Sequence, residues 1–167
     1  MENRDQVFPS KSREAIDIPV LKIGKNPSNK NSYRQISLTN CLCKLMERMV
    51  NKRLSWYLEI NNILHPCQSG FRRNKSTLDN LAILHSHIME AFACRKSPTT
   101  VVFDIKKSYD CIYGNIIMKK LSTSGIRGNM IAFISNFLKD RKFRCMIADC
   151  SSDIFQQENG VPQGAVL

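Results

Sequence analysis

TTVVFDIKKSYD, residues 99–110, sets a β-branched run directly before an aspartate and follows it, five and six residues on, with a Tyr-Asp pair. The run predicts a short strand over 101–105, on which Asp104 shares a face with Val102 while Phe103 and Ile105 point the other way. A carboxylate at the end of a buried strand is costly unless a cation, a donor or water receives it. Asp104 is therefore either a metal ligand or the cap of the following turn. Asp110 carries the same ambiguity, with a structural role favoured. Tyr109 either presents its ring beside whatever a metal binds or is an ordinary buried tyrosine.

Around this stretch lie 167 residues, 43% of them hydrophobic, enough for one domain with a sizeable core and too apolar for a disordered chain. The 25 Lys and Arg against 14 Asp and Glu give a formal charge of +11, spread from Lys22 to Arg144. A distributed basic surface suits a polyanion groove, with a merely soluble basic protein as the plainer alternative. Seven cysteines, at 41, 43, 67, 94, 111, 145 and 150, form an odd set without a CxxC pair. They read as reduced, mostly buried thiols of an intracellular protein, and no zinc site is expected. The start, MENRDQVFPSKSREA, has no apolar signal core, and no run approaches the roughly 20 apolar residues that cross a bilayer. The sequence predicts neither secretion nor membrane insertion.

Along the chain, a short strand is expected near Ala15 to Leu21, then an exposed polar loop over 22–37, KIGKNPSNKNSYRQIS, punctuated by Gly24 and Pro27. From Thr39, Leu42, Leu45, Met46, Met49, Val50, Leu54, Tyr57 and Leu58 recur as one face of a helix that ends at Asn61-Asn62. The loop CQSGFRRNKS follows, and Ser76 or Thr77 caps a second helix with Leu78, Leu81, Leu84, His85, Ile88 and Phe92 on its apolar face. His85 reads as a packed core histidine. Helices near 116–122 and 130–138 and a hairpin of Phe143–Ile147 with Ile154–Glu158 complete the chain. Helices first and strands mixed with helices later suggest an α+β fold with a small sheet.

Phosphoryl transfer asks a protein for carboxylates that hold two divalent ions, donors for the triphosphate and a shaped floor for the sugar. Arg34 and Arg72 lie in polar loops where a guanidinium can grip phosphate oxygens in bidentate fashion, although loop arginines are usually just solvated. GVPQG, residues 160–164, is either a loop that lets backbone approach a ligand or a plain turn.

Five segments, IPVLKIGKNPSNKNSYRQISL, CLCKLMERMVNKRL, QSGFRRNKSTLDNL, VVFDIKKSYD and QENGVPQGAVL, occur in this order. Together they resemble the reverse transcriptase domain of non-LTR retrotransposons, especially jockey-like and I-like elements, over nearly the full length. The resemblance implies a right-hand polymerase: a poorly ordered segment over 1–14, fingers over 15–95 and a partial palm over 96–167. It implies Asp104 as the catalytic metal-binding aspartate, with the Ile105 carbonyl as a further ligand of a two-ion Mg²⁺ site. Arg34 matches a contact to the incoming triphosphate, Tyr109 the residue under the incoming sugar that discriminates against a 2′-hydroxyl, and Gln163 the loop bordering the nascent base pair. Arg72, Arg73, Lys75, Gly160 and Gly164 would lie along template and primer. The implied partners are an RNA template, a DNA primer and deoxynucleoside triphosphates, in the nucleus or cytoplasm, and the oligomeric state is left open.

Departures from the family pattern bear on activity. Asp17 stands inside a strand at an apolar position, where an unpaired carboxylate weakens packing. The chain has no Asp-Asp pair and its last aspartate is Asp153. The family's paired-aspartate hairpin is therefore expected to be missing, which leaves one of three metal carboxylates and an open edge on the first palm strand. The expectation is a reverse transcriptase fragment inactive by itself, with a non-catalytic nucleic-acid-binding remnant as the alternative.

Overall fold

A computed structural model describes residues 10–167. Of the segment expected to be poorly ordered, residues 1–9 lie outside the described residues, Ser10–Arg13 form a 3-10 turn, and Glu14 opens the first strand. The fold is mixed α and β. In chain order come β1 (Glu14–Leu21), β2 (Tyr33–Leu38), α1 (Cys41–Ile60), α2 (Thr77–Ala93), α3 (Gly114–Thr123), α4 (Asn129–Leu138), β3 (Lys142–Ile147), β4 (Cys150–Ser151) and β5 (Phe155–Gln156).

β1 is an inner strand of the sheet. It runs antiparallel to β2, with Ile16 opposite Leu38 and Leu21 opposite Tyr33. On its other edge it runs parallel to β3, with Glu14 opposite Lys142 and Asp17 opposite Cys145. β4 and β5 both fold back antiparallel onto β3. The expected hairpin at the end of the chain is therefore present, fastened by the tilted Phe143–Phe155 ring pair at 5.9 Å. The exposed loop expected over 22–37 holds only as far as Ser32. There Asn26 and Asn29 each accept a bond from the backbone N–H two residues on, and the Tyr33 hydroxyl donates to the Pro27 carbonyl. From Tyr33 the chain becomes β2, because β1 offers it a ladder that a local reading of polar residues does not reveal.

The chain divides into two compact units, one made of residues 1–53 with 107–167 and the other of residues 54–106. This division does not follow chain order, since the parallel β1–β3 pairing ties an early strand to a late one. In the sheet unit, Cys43 of α1 and Phe137 of α4 form a small core against which Phe133, Leu138, Ala165 and Leu167 pack. α1 turns Cys43 and Glu47 inward, while Leu42, Leu45, Met46 and Met49 stay exposed. The buried face of its first turns is thus not the apolar stripe that marks the helix in sequence.

In the second unit, α2 starts at Ser76, whose backbone N–H and hydroxyl both donate to the Asp79 carboxylate at 2.5 and 3.1 Å. No residue of α2 is buried, and His85, expected in a core, is exposed. The strand expected over 101–105 does not form: the segment has no regular structure, and Val102 and Phe103 are 87% and 88% exposed. β propensity describes fit to a pleated, half-covered surface, and without a neighbouring strand the backbone donors and acceptors turn to water. Of the seven thiols, all free, only Cys43 is buried, Cys145 is half-buried and the other five are exposed, against the expectation of mostly buried cysteines.

Candidate functional site

In the sheet unit one loop, carrying Gly160, Gln163 and Gly164, joins the Tyr109 turn to β2, the strand on which Arg34 lies. Lys107 takes φ of +53°, and its carbonyl accepts from the backbone N–H groups of Asp110 and Cys111, which sets Tyr109 on a tight turn. The loop at 160–166 closes on that turn. Gly160 N–H donates to the Ile112 carbonyl at 2.7 Å, and Val161 N–H donates to the Tyr109 carbonyl at 3.0 Å. Gly160 has φ of +85°, and a Cβ there would stand 2.9 Å from the Tyr109 carbonyl oxygen, so only glycine lets the two backbones meet.

Three residues on, the loop reaches β2. Ser37 N–H donates to the Gln163 carbonyl at 2.7 Å, and a Cβ on Gly164, at φ of +122°, would lie 2.9 Å from the Ser37 carbonyl oxygen and 3.8 Å from Ile36 Cγ2. Ile36 and Arg34 share a face of β2. One loop thus spans from the Tyr109 turn to the strand that carries Arg34. Arg34 is exposed, Tyr109 is 38% exposed, Gln163 is half-buried, and Pro162 between the contacts is buried. The arrangement offers a guanidinium, an aromatic ring and an amide beside a close-packed backbone, the functional groups that suit a triphosphate, a sugar and a base.

Buried charged side chains, of which the sequence marked only Asp17, support this loop from within. Asp17 is buried but partnered, accepting from the Ser37 hydroxyl at 2.6 Å across the β1–β2 ladder, so it is not the packing defect expected of it. Glu47 is 0% exposed: one carboxylate oxygen accepts from the Cys43 thiol and the other from the Val166 N–H at 2.7 Å. Arg141, 2% exposed, lies over the Phe137 ring at 4.7 Å and donates through Nη1 to the Phe137 carbonyl. Burial holds its guanidinium below the usual arginine range, opposed by Cys43, Glu47 and Asp17. Burial, reinforced by the bond to Glu47, pushes the Cys43 thiol up to about 11. A helical-face reading does contain one signal for Glu47, a lone acid four residues after Cys43 and four before Asn51. Nothing near Arg141 in the sequence marks it.

The remaining candidate residues fall in the other unit. Arg72 is a brace: its guanidinium grips Glu59 in bidentate fashion at 2.6 and 2.8 Å and also donates to the His65 and Gln68 carbonyls. The pairing holds the Glu59 carboxyl below the usual carboxylate range and raises Arg72. Arg73 and Lys75, from the same loop, are exposed. Asp104 and Ile105 stand on the exposed segment described above. Among the described residues no three His, Cys, Asp or Glu side chains come together as metal ligands. One carboxylate and one carbonyl make too small a donor set for a pair of magnesium ions, so the residues present do not fit that cofactor. Among the described residues no helix is long and apolar enough to cross a membrane.

Comparison with known proteins matches residues 23–167 to the family described as reverse transcriptase (RNA-dependent DNA polymerase). The chain is 30% identical over 164 residues to the probable RNA-directed DNA polymerase from transposon BS of Drosophila melanogaster, covering 98% of this chain and 18% of that protein. It is 30% identical over 160 residues to the RNA-directed DNA polymerase from mobile element jockey of Drosophila funebris, covering 96% of this chain and 17% of that protein. It is also 32% identical over 116 residues to the retrovirus-related Pol polyprotein from type-1 retrotransposable element R2 of Popillia japonica, covering 70% of this chain and 15% of that protein. The chain therefore spans less than a fifth of the length of these relatives. With the family matched across most of its residues, this chain belongs to the reverse transcriptases of non-LTR retrotransposons.

Proposed function

We propose that the chain provides the nucleotide- and template-holding part of an RNA-directed DNA polymerase, in a right-hand arrangement with fingers over 15–95 and palm from about 96 onward. The observation that carries this reading is the 160–166 loop bonded both to the Tyr109 turn and to β2, which gathers Arg34, Tyr109 and Gln163 in one unit. Arg34 takes the triphosphate, Tyr109 packs under the sugar, and Gln163 borders the base. Arg73 and Lys75 track the backbone of an RNA template paired with a DNA primer. Such partners place the work inside the cell, in the nucleus or the cytoplasm. Asp104 is the carboxylate through which the family's metal chemistry would act, and by itself it supplies too few donors for it.

The 167-residue chain accordingly binds a primed template without extending it. Fluorescence anisotropy with an RNA template and DNA primer tests the first half. The expected affinity falls steeply with salt, because released counterions drive the contact. Arg34→Ala and Tyr109→Ala are expected to weaken a deoxynucleoside triphosphate analogue added to that complex, and Tyr109→Ala to narrow its preference over the ribonucleotide. A second reading, a nucleic-acid-binding remnant, draws on the exposed, unclustered position of Asp104. It predicts the same salt-dependent binding with no response to either substitution. Templated extension in the presence of Mg²⁺ would refute both readings of the isolated chain.

A further inference from the structure

We propose that Glu47 and Asn51 are positioning residues that fix the Gln163 loop by imitating the edge of a neighbouring strand. The inference deepens the reading of Gln163 as the residue bordering the base and rests on it for its functional half. Glu47 Oε2 accepts from the Val166 N–H at 2.7 Å, and Asn51 Nδ2 donates to the Val166 carbonyl at 2.8 Å. Both backbone groups of one residue are thus engaged by side chains four apart on α1, which lie one above the other on a helix face. A paired strand would offer Val166 the same acceptor and donor from its backbone.

At the other end of the same short stretch, the Gln163 carbonyl accepts from Ser37 N–H. That N–H is taken by the loop although Ser37 faces Asp17 of β1 across the ladder, so the loop serves as a further partner for β2. Residues 163 to 166 are therefore gripped by strand backbone at one end and by helix side chains at the other. A carboxylate with no solvent exposure is a costly choice for a helix that needs only packing, and an apolar side chain would fill that space at less cost. Here the Cys43 thiol donates to its second oxygen. Arg141 adds compensating charge without a direct bond, its Nε and Nη2 having no hydrogen-bond partner. The buried charge is explained by the backbone it holds.

Amide exchange in the full 167-residue chain tests the proposal, with Ser37 reporting the loop and Ile36, paired with Ile18 in the ladder, reporting the sheet. Asn51→Ala is expected to speed exchange at Ser37 by about fivefold or more, the loss of one hydrogen bond's worth of protection, with Ile36 unchanged. Glu47→Gln keeps an oxygen for Val166 and is expected to stay within about twofold of wild type at Ser37, while Glu47→Ala is not. The idea is overturned if Ser37 in Asn51→Ala exchanges at the wild-type rate, or accelerates only in step with Ile36. Titration with a fluorescent deoxynucleoside triphosphate on primed RNA separates the two layers. A wild-type chain that binds no analogue refutes the nucleotide reading, and the exchange comparison still decides the positioning. A wild-type chain that binds it, with Asn51→Ala binding equally well, refutes the functional half of the positioning.

Discussion

The two units differ in what they bury. Residues 54–106 contain Trp56, Phe71, Leu78, Leu81, Phe92 and Phe103, all exposed, and their sole buried residue among those described is Ser69. Their order comes from polar braces, the Arg72–Glu59 pair and the Asp79 contacts that start α2. The unit of residues 1–53 and 107–167 buries Ala15, Cys43, Ile126, Ile134 and Phe137 and, with them, Asp17, Glu47 and Arg141. The difference follows from the sheet. β1, paired on both edges, gives helices a surface to cover, and a closed interior can then hold charges in fixed register. Helices without such a surface keep their pattern and leave their apolar stripe in water.

The largest break in this comparison should come from the buried carboxylate. Glu47→Ala leaves the Val166 N–H without its acceptor and takes from the Cys43 thiol its shorter bond and from Arg141 one of its compensating charges, and is expected to cost about 3 kcal/mol or more in urea unfolding. A loss below about 1 kcal/mol would mean the charge is not buried in solution. Next, Gly164→Ala forces a methyl against the Ser37 carbonyl at positive φ, a loss of about 2 kcal/mol by the same measurement. Wild-type stability after that change would mean the loop does not rest on β2.

Alkaline pH probes the same interior more gently. The Cys43 thiol ionises near 11 in the folded chain against an ordinary 9.0, so below pH 9 its contribution is fully present. Between 9 and 11 the unfolded chain loses the proton first, and up to about 2 kcal/mol is lost as pH rises. Comparing wild type with Cys43→Ala at pH 8 and pH 10.5 isolates that slope, and parallel slopes would contradict it. The smallest effect belongs to the other unit. Phe103→Ser should change stability by no more than about 0.5 kcal/mol, because its ring touches little, and a larger loss would show the segment packed.

The helices were legible in the sequence because their signals are local. The apolar spacing along 42–58, Ser76 before α2 and the break at residues 124–128 each act within a turn or two. What those helices bury was not legible, since periodicity shows that a face can take a partner and not that one is there. α1 makes the point, with its apolar stripe exposed and Cys43 and Glu47 inside. The strand expected at 101–105 failed for the same reason, and β2 was missed because its ladder lies on a segment whose own residues read as loop. Around the candidate site, Arg34, Tyr109 and Gln163 were singled out by family resemblance. The supports beneath them, Ser37 and Asn51, act through partners more than a hundred residues away, and no spacing rule reaches that far.

The parallel pairing of β1 with β3 also governs how the chain comes into being. Glu14 to Asp17 must wait for Lys142 to Cys145, so during synthesis the β1–β2 hairpin emerges with one edge bare while more than a hundred further residues are added. At cellular elongation rates that interval is roughly 10 seconds, long compared with the microseconds in which a hairpin closes. A nascent chain would therefore pass that interval as a hairpin and free helices, open to chaperones or to sister chains, and would close the sheet only once Lys142 to Cys145 arrive.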